Sequence, residues 1–230
     1  LNGQTAEFLL SESLAFLESM NQEMAETLIY GDTTVHPQRF TGLSARFNSL
    51  AAKNGVNIID AGGTGSNLTS IWLVVWGENT VHGLFPKGSK AGLQQEHKGQ
   101  VTLEDENGGK YEGYRTHFQW KNGLTVRDWR YVVRIANIDI SKLKKDPEAA
   151  DSLDLPDLLI QAIEKIPNLA MGRPAIYCNQ AIRSWMRRQI KNSKNVNISM
   201  QEVAGKKVVS FDEIPVRRVD SILTTESQVK

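Results

Sequence analysis

The sequence predicts an α+β protein built from a long helix, a long antiparallel β-hairpin and a compact α/β layer. Three observations predict this class. Apolar residues recur every three or four positions near the start of the chain, alternate with polar residues in its middle, and follow mixed helix and strand patterns after about residue 150. At 230 residues, the chain is long enough to bury most of its apolar surface in one large or two modest domains.

Composition excludes several broad classes of protein. With 27 basic and 26 acidic residues the formal net charge is +1, so no global field favours a nucleic acid or an anionic membrane. The single cysteine, Cys178, excludes an internal disulfide and fits a reducing compartment. The longest apolar run, residues 71–76, is far shorter than the ~20 residues of a membrane span, and no signal segment opens the chain.

Two helices are predicted near the start of the chain. The first covers residues 11–30, with Ser11 as its N-cap and Gly31 ending it in the left-handed conformation. A second helix is predicted from Pro37 onwards. The apolar residues that carry the two helical patterns are Leu10, Leu14, Leu17, Met24 and Leu28 in the first, and Phe40, Leu43, Phe47 and Leu50 in the second.

The middle of the chain predicts a long antiparallel hairpin. Residues 114–120 alternate between apolar and polar side chains, which is typical of a strand with one wet face. Asn122-Gly123 then matches a two-residue hairpin turn, and residues 129–135 alternate on the returning strand. Phe118 is expected to be buried on the dry face.

A second strand and a domain boundary are predicted on either side of this hairpin. Residues 71–76 are apolar on both faces, so the strand should be covered on both sides, with Trp76 buried. A polar, charged stretch over residues 142–154 marks the boundary between two domains. We therefore predict one domain over residues 1–150 and another over residues 151–230.

The second predicted domain is a small α/β layer. Asp154 is expected to cap a helix that has Pro156 at its first position and ends before Pro167. A strand follows over residues 174–177, then an amphipathic helix from Gln180 to Lys191. Two short strands are predicted around Val208-Val209 and over residues 216–219.

Candidate catalytic and metal-binding motifs fail on spacing or context. The glycine cluster at residues 62–66 matches no phosphate-loop pattern, and Ser89 lacks the glycine two places earlier that a nucleophile elbow requires. Residues 104–106 are acidic but precede a turn pair, and Cys178 is expected to be a core thiol. No metal-binding spacing links the four histidines, His36, His82, His97 and His117. We predict no catalytic residue, no cofactor and no metal site.

One basic surface remains to be explained. Arg183, Arg187 and Lys191 fall at i, i+4 and i+8 on the predicted helix, beside an apolar stripe, and Arg188 and Lys194 extend the patch. Three interpretations stay open: a solvated helix face, charge pairing with a neighbouring subunit, and contact with nucleic-acid phosphates. Without interleaved aromatic residues, subunit pairing is the stronger of the last two.

Many short segments, spread from about residue 10 to the C-terminus, resemble one family. These are residues 31–33, 40–43, 57–63, 70–77, 82–88, 114–117, 124–130, 172–174 and 211–216, including the runs Asn-Ile-Ile-Asp-Ala-Gly-Gly and Ser-Ile-Trp-Leu-Val-Val-Trp-Gly. Together they are similar to a family of tailed-bacteriophage major capsid proteins. None is a catalytic motif, so the specificity of the resemblance comes from their number and order.

The resemblance implies the Hong Kong ninety-seven type of capsid fold, with a spine helix, a peripheral domain and an axial domain. The peripheral domain would lie within residues 1–150 and the axial domain within residues 151–230. The implied function is self-assembly into hexamers and pentamers of an icosahedral phage or prophage head that encloses DNA. Such a protein would assemble in the bacterial cytoplasm and reside in the virion. Scaffold, portal and decorating proteins are further candidate partners, and packaged DNA would be touched only weakly and non-specifically.

Two other functions compete with this one, and one departure is expected. A nucleic-acid or scaffold-binding module would use the basic helix from Gln180 to Lys191, and a hydrolase would need a pocket joining residues such as Cys178 and His117. The family also implies an N-terminal arm and an extended loop before the spine helix. Neither precedes Leu1, so we expect this chain to fold without building a closed shell.

Overall fold

A computed structural model divides the chain into two compact units. It describes residues 4–143, 153–191, 198–203 and 206–230. Leu1–His82 and Val126–Lys230 form the first, which we call the sheet unit, and Gly83–Thr125 form the second, the ribbon unit. The sheet unit takes elements from both predicted domains. The division into residues 1–150 and 151–230 therefore does not coincide with these units, and it stays a prediction.

The described helices and strands alternate in no simple repeat. In chain order they are α1 (Thr5–Tyr30), α2 (Leu43–Arg46), β1 (Ile58–Asp60), β2 (Leu68–Trp76), β3 (Val81–Leu84), β4 (Leu93–Glu104), β5 (Lys110–Trp120), β6 (Gly123–Val126), β7 (Val132–Asp139), α3 (Leu155–Glu164), β8 (Arg173–Cys178), α4 (Gln180–Lys191), β9 (Ile198–Val203), β10 (Lys206–Phe211) and β11 (Ile214–Arg218). The mixed content confirms the predicted α+β class.

A mixed sheet forms the centre of the sheet unit. Its main path through the described strands runs β1-β7-β2-β8-β11-β10-β9. Strand β7 is parallel to β1 and antiparallel to β2, while β8 is antiparallel to β2 and parallel to β11. Off this path, β3 carries the chain out of the sheet unit and β6 brings it back.

Strand β2 lies in the core, as its two-sided apolar pattern predicts. Every residue of β2 is buried except the last, Trp76. Leu73 belongs to the same buried cluster as Leu159 of α3 and Trp185 of α4. The predicted burial of Trp76 is wrong, because this residue is half-buried and its indole N–H donates to the Tyr177 hydroxyl at 2.8 Å.

Helix α1 begins earlier than the sequence indicates. It starts at Thr5, and the Ser13 hydroxyl donates to the Leu9 carbonyl inside the helix. Ser11 is therefore an interior residue and not the N-cap. Gly31 ends the helix, but its φ of −53° is not left-handed. Glycine is required there for another reason: a Cβ would lie 2.2 Å from the Phe40 carbonyl oxygen.

The second predicted helix is mostly absent. Only the single turn α2 is helical, and the segment from Pro37 to Gly42 is not. Gly42 is extended, and its N–H donates to the Gly31 carbonyl at 2.8 Å. The backbone here therefore forms a hydrogen bond to the residue that ends α1 and does not continue as a helix. Leu43 and Phe47 are nevertheless buried, as their apolar character predicts.

The predicted hairpin has the wrong partner strand. Strand β5 pairs antiparallel with β4, in a ribbon that makes up most of the ribbon unit. The turn lies at residues 105–109, where the Asp105 carboxylate accepts from two backbone N–H groups. Asn122-Gly123 instead joins β5 to β6, and β7 enters the main sheet. Phe118, on β5, is half-buried, so its predicted burial is wrong.

The α/β layer after residue 153 follows the prediction closely. Asp154 caps α3 by accepting from the Asp157 N–H, and Pro156 lies in the first turn. The bounds of α4 are those predicted from the sequence. The strand β9 was not predicted; it pairs antiparallel with β10.

Residues 219–230, which we call the C-terminal strap, run back along the sheet unit. The Thr69 hydroxyl donates to the Leu223 carbonyl at 2.7 Å. The Asn137 side chain donates to the Val229 carbonyl and accepts from the Val229 N–H, at 3.0 and 2.8 Å. These contacts attach the strap to β2 and to β7.

The strap also supplies one half of a buried ion pair. The Glu226 carboxylate accepts from Arg134 of β7 at 3.0 Å, and both side chains are at most 5% exposed. The hydroxyls of Tyr30 and Ser70 donate to the same carboxylate. Burial, together with the Glu226 charge, raises the pKa of Tyr30. This network joins the end of α1, the central strands and the strap.

Candidate subunit interface

Helix α4 is attached to the sheet by a capping side chain and by a buried apolar face. Asn179 begins it: the side-chain oxygen accepts from the Ile182 N–H at 3.0 Å, and the side-chain amide donates to the Thr69 hydroxyl at 2.9 Å. Ile182, Trp185 and Met186 are at most 1% exposed. The predicted apolar stripe therefore packs on the core, which leaves the basic side chains outward.

The structure brings three of the predicted basic residues together. Arg183, Arg187 and Arg188 line one groove of about 650 Å³, which we call the arginine groove. The remaining described lining residues are Gln180, Ser184, Ile190, Met200 and Arg218. Lys191 ends α4, but its side chain lies outside the described part of the structure, as does all of Lys194.

The three arginines of α4 concentrate positive charge in the groove, and no described acidic side chain pairs with them. Arg187 and Arg188 are exposed, and neither forms an ion pair or hydrogen bond with a described residue. The Nε of Arg183 is shielded from solvent and makes no hydrogen bond with a described residue. A shielded donor left unsatisfied typically costs ~1–3 kcal/mol.

Arg218 was missed by sequence reasoning. It ends β11 and reaches the groove, where it pairs with the exposed Asp220 at 2.5 Å and donates to the Gln180 side chain at 3.4 Å. The alternation of side chains along β11 could have predicted its position. Ile214 and Val216 are buried in the cluster that includes α4, and Arg218 continues the same strand face.

The other candidate sites have structural roles. Gly62, with φ +75°, lies in a loop, and a Cβ on Gly63 would meet the Asn137 carbonyl oxygen at 2.4 Å. Cys178 is fully buried, which raises the pKa of its thiol to about 12 and disfavours the nucleophilic thiolate. Within the described ranges, no group of three or more metal-ligating side chains comes together. No helix among the described residues is long and apolar enough to cross a bilayer.

A long N-terminal helix, a separate β-ribbon and a mixed sheet are the parts that the predicted capsid-type α+β fold requires. The chain belongs to the family described as Major capsid protein GP7, whose model matches residues 1–230. It is also similar to a chain in the near-atomic-resolution structure of bacteriophage Epsilon15. The identity is 36% and the TM-score 0.61, and the match covers 96% of this chain and 67% of that one. A comparison with curated proteins gave no match.

These findings confirm the resemblance that the sequence segments predicted. The chain has the structural role of a capsid protein, located in the virion and self-assembling into the capsid, and the family is not an enzyme family. The hydrolase hypothesis, with Cys178 and His117, is therefore wrong.

Proposed function

We propose that the arginine groove is a contact between neighbouring subunits in hexamers and pentamers of the capsid. The observation that carries this proposal is that Arg183, Arg187 and Arg188, which pair with no described residue, line one groove on a helix packed against the core. The guanidinium fork binds carboxylates with two parallel hydrogen bonds, so a groove of this kind selects an acidic surface in a defined orientation. Scaffold, portal and decorating proteins are secondary candidates for the same surface.

Such a contact acts on assembly more than on folding. Exposed arginines contribute little to the stability of a single chain, because water already solvates them. Across an interface the same charges steer association, and they exclude partners with like charge. A charge reversal in the groove is therefore expected to change assembly while leaving the folded subunit intact.

Packaged DNA is the competing partner for this groove. Its phosphates would also satisfy the guanidinium groups, and binding would weaken steeply with salt. The formal net charge of +1 supplies no overall field that would hold a polyanion beside the groove. The lack of such a field favours a protein partner.

Arg187→Glu tests the proposal, with Arg217→Glu as its matched control. Arg217 is exposed on β11, next to Arg218, but it does not line the groove. Introduced into the capsid protein of an assembling phage, Arg187→Glu is expected to block particle formation in electron microscopy and sedimentation. The thermal midpoint of the isolated variant chain should equal that of the unmodified chain. Normal particles from Arg187→Glu would contradict the proposal. If those particles form but package DNA poorly, the groove contacts DNA instead.

A further inference from the structure

The turn between β10 and β11 carries two acidic residues in an unusual conformation. Phe211 pairs with Ile214, so Asp212 and Glu213 alone make the turn. Their φ angles are +44° and +67°. Two-residue hairpin turns with positive φ at both positions favour Asn-Gly, since a side chain on either residue is crowded there.

The two carboxylates lie in solvent and have no bonding partner among the described residues of their own chain. Asp212 and Glu213 are both exposed. Neither forms a hydrogen bond or ion pair with any described residue. The acidic turn is therefore the charge complement of the arginine groove, where Arg183, Arg187 and Arg188 also lack partners among the described residues.

The turn and the groove lie apart within one subunit. Glu213 immediately precedes β11 and Arg218 ends it, so about 17 Å of strand separates the turn from the Arg218 side of the groove. Neither turn residue lines the groove. Two complementary surfaces at different places on one chain make a head-to-tail contact between copies, and such contacts close into rings when the rotation allows.

We infer that the Asp212-Glu213 turn of one subunit enters the arginine groove of the next subunit around a ring. This inference rests on the proposed function, because it names the segment that occupies the same groove. The carboxylates pair there with the fork of Arg187 and its neighbours. The partner is a second copy of this chain, and the contact repeats around the capsomer.

A charge exchange tests the pairing directly. Arg187→Glu and Glu213→Lys should each reduce the particle yield by about tenfold or more, whereas the double variant should recover most of the yield, because the exchanged charges attract again. Arg217→Glu combined with Glu213→Lys is the matched control, and it should give no recovery. Failure of the double variant to recover, or equal recovery in the control, would overturn the inference.

A second variant separates the turn's charge from its backbone shape. Asp212→Asn together with Glu213→Gly installs the sequence that this turn geometry favours. We expect a higher thermal midpoint for the subunit but a lower particle yield. Unchanged assembly would show that the carboxylates are dispensable and would overturn the inference.

The possible results separate two proposals: that the groove is a subunit interface, and that the acidic turn occupies it. If Arg187→Glu blocks assembly while the Asn-Gly variant assembles normally, the groove is an interface and the turn is not its occupant. If Arg187→Glu assembles normally, both proposals fail. Disulfide formation between mixed subunits carrying Ser184→Cys and Glu213→Cys supplies an independent readout. A disulfide-linked pair appears only when both variants are present, and its absence from intact particles counts against the contact.

Discussion

The sheet unit and the ribbon unit are stabilised in different ways. Nearly every buried hydrophobic side chain in the described residues belongs to the sheet unit, and the ribbon unit contributes only Leu124. The ribbon exposes apolar side chains such as Leu93 and Tyr111, and the sheet unit also exposes some, including Leu10 and Leu14 of α1. The shape of the ribbon comes from the backbone ladder between β4 and β5, which runs the length of both strands.

The difference shows which parts of a capsid subunit depend on their own chain. An isolated two-stranded ribbon is only marginally stable in water, since it has too few strands to cover an apolar face. The sheet unit is therefore expected to fold by its own core, whereas the ribbon unit gains stability from neighbours in the shell. The following predictions test that contrast, beginning with the largest effect.

Hydrogen exchange of the unassembled subunit should separate the two units most clearly. Amides of β2 and β7 are expected to exchange only when the whole unit unfolds, which costs ~5–15 kcal/mol in typical domains. Amides of β4 and β5 should exchange by local opening, orders of magnitude faster. Equal protection in both units would contradict the contrast.

Matched truncations of phenylalanine provide the next test. Phe211→Ala removes a fully buried ring from the sheet unit and should lower the free energy of unfolding by ~3–5 kcal/mol. Phe118→Ala, on the half-buried face of β5, should lower it by about 1 kcal/mol or less. Denaturant unfolding measures both. Similar losses would mean that the ribbon also has a core of its own.

The buried ion pair adds a third test within the sheet unit. Glu226→Ala leaves Arg134 charged and buried without its carboxylate partner, so we expect a loss of ~3 kcal/mol in the free energy of unfolding. Asp220→Ala, which breaks the exposed pair with Arg218, is the control and should leave the denaturation midpoint unchanged. A small effect of Glu226→Ala would show that water reaches Arg134.

Alkaline pH should produce the smallest change. Burial raises the pKa of Cys178 from 9.0 to about 12, so the folded state holds a proton that the unfolded state releases. The contribution of this group to the free energy of unfolding is therefore fully present below pH 9. It is lost between pH 9 and 12, by at most ~1.4 kcal/mol per pH unit. Chemical denaturation at pH 8 and pH 10 should show a smaller fall for Cys178→Ala than for the unmodified chain. An equal loss of unfolding free energy in the two proteins would contradict the burial of the thiol.

Local signals predicted the α/β layer well and the hairpin badly. The bounds of α4 and the cap at Asp154 depend on neighbouring residues, so periodicity and capping chemistry were sufficient. Two Asn-Gly pairs, at residues 107–108 and 122–123, offered equivalent turns, and only pairing between distant strands decides between them. The local sequence pattern therefore could not identify β4 as the partner of β5.

The candidate site was predicted in part for the same reason. Arg183, Arg187 and Arg188 share one helix, so their spacing placed them on one face. Arg218 comes from a strand 30 residues after Arg188, and its arrival at the groove depends on β11 pairing with β8. The acidic turn at Asp212-Glu213 had no visible signal, because its positive φ angles appear only in the structure.

The C-terminal strap also has a consequence for the timing of protein synthesis. Glu226 is 92 residues beyond Arg134 and 196 beyond Tyr30. At translation rates of roughly 5–20 residues per second, Arg134 waits about 5–18 s for its carboxylate partner after it is made. A nascent subunit therefore keeps an unpaired charge among its central strands until the strap emerges. We therefore expect a chain that ends before Glu226 to fold less stably than the full chain, because Arg134 then lacks its carboxylate partner.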